Sequence, residues 1–155
     1  MPDNEFFKTL LNKAMALCAS REYCSGDISA KLLAWGLDEQ ESTRIIELLK
    51  KDNFINEERY AKGFVKDKFA YNKWGKLKIS AHLKAKKIPG NLINQALDSL
   101  DNEKYRQMLS NLLTSHRRSV KAKNEYDLKA KLMRYGLSKG FESSLLYELL
   151  NEMEE

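Results

Sequence analysis

The stretch LKAKLMRYGL fills residues 128–137, ISAHLKAKKI fills 79–88 and ISAKLLAWGL fills 28–37, so nearly the same ten residues recur at offsets of 51 and 49. Ile28, Ile79 and Leu128 align, as do Ala30, Ala81 and Ala130, Leu32, Leu83 and Leu132, and Leu37, Ile88 and Leu137. Gly36 and Gly136 align, with Lys87 between them. Apolar residues four apart, followed by Gly, describe an amphipathic helix with a C-terminal stop.

The flanks repeat as well. A second helical pattern follows each copy, on Ile45, Ile46, Leu48 and Leu49, then Leu92, Ile93, Ala96 and Leu97, then Leu145, Leu146, Leu149 and Leu150. Asp38 and Ser138 stand at N-cap positions, and Pro89 suits a first helical turn. A further amphipathic helix precedes each copy, roughly over 5–22, 57–72 and 102–117, the second capped by Asn56 and the third by Asp101. The pattern predicts an all-α protein of three tandem three-helix repeats in an elongated, curved array: 1–53, 54–100 and 101–155. A unit of this size is marginal alone and gains core by stacking. A compact unit is about 25 Å across, and three in a row reach roughly 70 Å. Linkers fall near 52–56 and 99–102, and RRSVKAKNE at 117–125 reads as a basic loop.

Composition agrees with helix. The chain is 43% hydrophobic and 32% charged, with two prolines and seven glycines among its 155 residues. No apolar run approaches the roughly 18 residues that cross a bilayer. The start, MPDNEFFKTL, lacks the basic and apolar regions of a signal peptide, so a cytoplasmic protein is expected. Cys18, in the apolar run AMALC, reads as a buried thiol rather than half of a Cys18–Cys24 bridge. These cysteines with the distant His82 and His116 make no zinc pattern. WGKLK lacks the flanking Gly and Ser/Thr of a phosphate loop, and HExxH, GxSxG and GxGxxG do not occur. No catalytic residue, metal or cofactor is expected.

The net charge of +5 hides an asymmetry. Residues 58–90 hold ten Lys/Arg against two Asp/Glu, and residues 104–139 hold the same numbers, while the first repeat is acidic. Helix surfaces usually mix signs. In 58–90 nine of the ten bases are Lys, a hydrated point charge that attracts phosphate without reading base edges. Salt-sensitive, sequence-tolerant contact with a polyanion follows. The expected contact residues are Lys66, Lys68, Lys73, Lys76, Lys78, Lys84, Lys86 and Lys87, then Arg117, Arg118, Lys121, Lys123, Lys129, Lys131 and Arg134, chosen by charge. Among the interspersed aromatics, Phe69 falls at core spacing and Trp74, beside Gly75 in a turn, reads as more open to a stacking base.

Residues 54–97 carry a more specific pattern: Phe54, Ile55, Asn56, Glu57, Glu58, Arg59, Tyr60 and Ala61, then Phe64 and Val65, then Gly75 and Ile79, then Leu83, Lys86, Lys87 and Ile88, with Ile93, Ala96 and Leu97 beyond. This stretch resembles the RecX family of recombination regulators. The family often has Arg-Gly-Pro where this chain has Lys73-Trp74-Gly75-Lys76, and Gly where Lys87 stands. The resemblance implies three three-helix units that bind the RecA filament on single-stranded DNA, lie in its groove and bridge neighbouring subunits. It also implies inhibition of RecA ATP hydrolysis and strand exchange, in homologous recombination, DNA repair and the SOS response. A monomer, with no membrane contact, is expected. Ile79, Leu83, Ile93 and Leu97 read as core, and Arg59 as an ion-pair partner near Glu57 and Glu58. Two other readings stand beside this one: a helical-repeat protein acting directly on duplex or single-stranded DNA, and a scaffold that binds protein alone.

Overall fold

The computed structural model describes residues 4–154; Met1–Asp3, where the N-terminal reading begins, lie outside the described residues. The helices are α1 (Asn4–Ser20), α2 (Ser25–Ala34), α3 (Glu39–Lys51), α4 (Glu57–Ala70), α5 (Lys76–Ala85), α6 (Gly90–Asp98), α7 (Asn102–Ser119), α8 (Glu125–Ser138) and α9 (Ser143–Glu154), with no strand among the described residues. They pack in threes, α1–α3, α4–α6 and α7–α9, and extensive helix–helix packing stays inside each triplet. The accessible surface is 9788 Å², against about 8,000 Å² for a compact monomer of this mass. The array is therefore elongated, with a separate core in each unit.

The first core gathers Leu10, Ala14, Ile28, Leu32, Ile45 and Leu49. The second is built on Val65, Ile79, Leu83, Ile93 and Leu97, and the third on Leu109, Leu113, Leu132, Phe141 and Leu146. The cores are interlaced at their borders. Ile55 belongs to the first, Cys24 to the second, and Phe69 touches both the second and the third. Local signals place the helix starts: Asp38 accepts from the Glu41 N–H in a capping box, Asn56 from Arg59 N–H, and Asp101 from Lys104 N–H.

The three middle helices close alike. Leu37, Ile88 and Phe141 each donate a backbone N–H to the carbonyl five residues earlier, on Leu32, Leu83 and Gly136. The residue before each has a left-handed backbone: Gly36 at φ 110°, Lys87 at 62° and Gly140 at 93°. Several sequence expectations change here. Gly136 is not the third stop and Leu137 is not its closing residue, because α8 runs one turn further and Leu137 is exposed. Ser138 ends α8 rather than capping α9. A Cβ on Gly136 would lie 2.1 Å from Leu146 Cδ2, so this glycine serves close helix packing. The basic loop is shorter than 117–125, since α7 extends through Ser119. Cys18 and Cys24 are both free thiols, and Cys18 is half-buried rather than buried.

Candidate partner-binding surface

The middle helices meet end to end. Gly75 N–H, at the start of α5, donates to Lys139 O at 2.7 Å, and Leu77 N–H to Gly140 O at 2.9 Å. These groups lie at the end of α8. Lys76 N–H donates to Tyr105 Oη at 2.9 Å, and the Tyr105 hydroxyl donates to Glu142. Burial, then the Glu142 contact, pushes the Tyr105 hydroxyl well above its ordinary pKa, so it stays neutral and hydrogen-bonded. At the other end of α5, Lys86 Nζ pairs with Asp27 of α2 at 2.7 Å, and Gly26 faces Lys86 O. The Glu57 carboxylate accepts from Ser25 N–H at 2.9 Å, capping α2 from the second unit. Burial raises the Asp27 carboxyl, but the Lys86 ammonium and Cys24 thiol outweigh this and hold it below the usual range.

This arrangement sorts the family-motif residues. Phe54 and Ile55 close the first core. Glu57 caps α2. Arg59 pairs with Glu22, not with Glu57 or Glu58, and reaches Asn53 O at 3.2 Å and Phe54 O at 3.3 Å. Tyr60 and Phe64 stack with ring centroids 6.0 Å apart. Ala61, Val65, Ile79, Leu83, Ile88 and Leu97 are buried, and Gly75 takes its place because a Cβ there would lie 2.4 Å from Gly140 backbone. The motif is mostly the framework of the second unit and its two joints.

The charge-selected residues divide differently. Of the ten bases in 58–90, Arg59, Lys62 and Lys86 are in ion pairs. The other seven, Lys66, Lys68, Lys73, Lys76, Lys78, Lys84 and Lys87, have no ion pair among the described residues. Lys73 and Lys87 also hold left-handed backbones, at φ 58° and 62°. Such a conformation costs a residue with a Cβ roughly 1–2 kcal/mol. The equivalents of Lys87 in the other units are glycines. Lys68 and Lys78 stand over Trp74, at 5.1 and 4.8 Å from its ring, and His82 lies 4.5 Å away on the same indole. Trp74 is thus half-buried under side chains, less open than its turn position suggests. It borders a groove of about 680 Å³ between the first two units, shared by Tyr60, Phe64, Lys68, His82, Lys86, Arg21, Glu22 and Asp27.

In the third unit several candidates are engaged. Arg117 lies 3.9 Å from Glu125, and Lys131 reaches Asp127 at 3.2 Å and Lys121 O at 2.5 Å. Lys129 donates to Asn151, Arg134 leans on Ala130 O of its own helix, and Lys123 uses its backbone N–H on Asp127. Arg118, Arg134 and the Lys121 and Lys123 ammonium groups have no ion pair among the described residues. One cation that sequence selection missed is Lys139. Its Nζ donates to Asn72 O at 3.0 Å, and burial, then the like charges of Lys78 and Lys73, push its ammonium below the usual lysine range. Its place in a basic block was visible; its approach to Lys73 and Lys78 needed the joint.

Among the described residues no group of three or more His, Cys, Asp or Glu is placed to hold a metal, and no helix is long and apolar enough to cross a membrane. Fold and surface together define an all-α tandem-repeat protein whose second unit carries seven lysines without an ion pair among the described residues. Residues 56–97 match the family model of the second three-helix domain of RecX. The chain is similar to proteins of the RecX family along nearly its whole length. It is 28% identical to the regulatory protein RecX of Clostridium beijerinckii, over 99% of this chain and 72% of that one. It is 33% identical to the regulatory protein RecX of Clostridium acetobutylicum, over 82% of this chain and 60% of that one, so it spans less than two thirds of that relative. The crystal structure of RecX from Lactobacillus salivarius superposes with a TM-score of 0.84 at 20% identity, covering 97% of both chains.

Proposed function

We propose that this chain binds the RecA filament on single-stranded DNA and inhibits RecA ATP hydrolysis and strand exchange, acting by binding rather than catalysis, as a cytoplasmic monomer. The observation that carries the reading is the set of seven lysines on and around α4 and α5 without ion pairs, two of them on left-handed backbone, in a chain similar to a family of regulatory proteins. An elongated array suits a groove whose walls are protein and whose axis is nucleic acid. Several modest contacts in series strengthen one another through effective concentration, and a preference for one filament state shifts the equilibrium without chemistry. The test is the rate of ATP hydrolysis by RecA on single-stranded DNA with increasing amounts of this protein. A fall at amounts well below one per recombinase supports the reading. No change in rate, with naked DNA still bound, overturns it in favour of direct DNA binding. Lys87→Gly sharpens the test: relief of backbone strain raises stability by about 1 kcal/mol in urea unfolding, while removal of the charge weakens inhibition.

A further inference from the structure

We infer that Lys73, Lys78 and Lys139 form a phosphate-binding subsite for single-stranded nucleic acid, built across the joint between the second and third units. The inference rests on the filament reading above and adds where the strand is held. The geometry converges from two units. Lys139 Nζ is fixed on Asn72 O at 3.0 Å, one residue before Lys73, whose backbone is left-handed at φ 58°. Lys78 sits against the same place from α5, because a Cβ on Gly140 would lie 2.2 Å from Lys78 Cβ. Backbone bonds from Gly75 and Leu77 to Lys139 and Gly140 lock the two sides together. Among the described residues no carboxylate is within ion-pair distance of any of the three ammonium groups. Like charges gathered on a rigid framework without a counter-ion are relieved by an anion. Nucleic acid is favoured over an acidic peptide by the aromatic ring beside the cluster: Tyr71, two residues before Lys73, is 82% exposed, and a base stacks on such a ring while a phosphate meets the ammonium groups.

The experiment measures binding of fluorescein-labelled oligo(dT) by anisotropy across a salt series. The wild type is compared with Lys73→Gln/Lys139→Gln, with Lys139→Arg, and with Lys8→Gln as a control in the first unit. Thermal melting confirms that each variant is folded. The double variant is expected to bind several-fold more weakly, and its plot of log affinity against log salt to flatten by about 0.7 for each phosphate it no longer neutralises. Lys139→Arg is expected to retain the wild-type slope. A double variant indistinguishable from Lys8→Gln overturns the subsite. Oligo(dT) binding that is unchanged while RecA inhibition disappears also overturns it and assigns these lysines to a protein partner. If the double variant no longer binds oligo(dT) and the wild type never affects RecA, the filament reading fails and the subsite stands.

Discussion

The joint between the first and second units and the joint between the second and third solve the same problem with different chemistry. Each must satisfy the free N–H groups at the start of a middle helix whose own N-cap has no capping side chain, Cys24 for α2 and Gly75 for α5. At the first joint the Glu57 carboxylate accepts from Ser25 N–H, beside the ion pairs of Arg59 with Glu22 and Lys86 with Asp27. At the second the partners are backbone carbonyls and a buried phenol, with Phe69 stacked on Tyr105 at 5.7 Å and Tyr105 against Phe141 at 5.2 Å. The first joint leans on ion pairs, which salt screens; the second leans mainly on backbone hydrogen bonds and a buried phenol, which salt affects less. An array of repeats thus carries one adjustable coupling and one fixed coupling.

The largest effect is expected at the fixed joint. Phe141→Ala removes a fully buried ring that faces Tyr105 and is expected to cost about 3–5 kcal/mol, whereas Leu137→Ala, which the repeat alignment places in the closing position, is expected to cost less than about 0.5 kcal/mol. Urea unfolding decides between them. Gly75→Ala comes next, because its Cβ would strike Gly140 backbone at 2.4 Å, and a destabilisation of about 3 kcal/mol is expected. At the adjustable joint a Cβ on Gly26 makes an ordinary contact with Lys86 O at 3.6 Å, so Gly26→Ala is expected to be neutral or to gain up to about 0.5 kcal/mol. Equal destabilisation at the two glycines erases the contrast. Tyr105→Phe leaves Lys76 N–H and Glu142 without their shared partner, and a cost of about 1–2 kcal/mol is expected.

The smallest effect belongs to the charged clasp. Asp27→Asn is expected to cost about 0.5 kcal/mol, since the Lys86 side chain is 44% exposed and water screens the pair. The pH dependence has a definite sign. The folded carboxyl titrates below its unfolded value of about 3.9, so its contribution is complete above that pH and is lost as pH falls through the lower folded value. Asp27→Asn flattens that limb. Amide exchange at Ser25 is expected to quicken as screening shortens from about 30 Å at 0.01 M salt to about 3 Å at 1 M, while exchange at Gly75 and Leu77 stays constant.

The helical class and the unit length were legible because apolar residues four apart leave little choice of period. The third register was not, and the reason is physical. A pattern of period four is nearly unchanged when slid by one turn, so Leu128 and Leu132 imitate Ile28 and Leu32 although Leu132 and Gly136 take the buried places. Gly136 then imitates a stop while it packs against Leu146. In the candidate site, the sign and lysine bias of the surface were legible from composition. Which cations are spent inside the fold was only partly legible: Lys131 pairs with Asp127 at i,i+4 on one helix, but Lys86 and Arg59 find Asp27 and Glu22 in the neighbouring unit, which sequence spacing does not show. Lys139 joins Lys73 and Lys78 for the same reason.

The end-to-end meeting of the middle helices gives the array a grammar. α2 depends on the second unit and α5 on the third for its missing cap, but α8 carries its own, Asn124 accepting from Asp127 N–H at 2.8 Å. Each of the first two units is a word that needs a successor, and the third can stand last. Exchanging their order would leave two helix starts unfinished and one cap without a task, so the repeats are alike in shape yet not interchangeable, and the array reads in one direction.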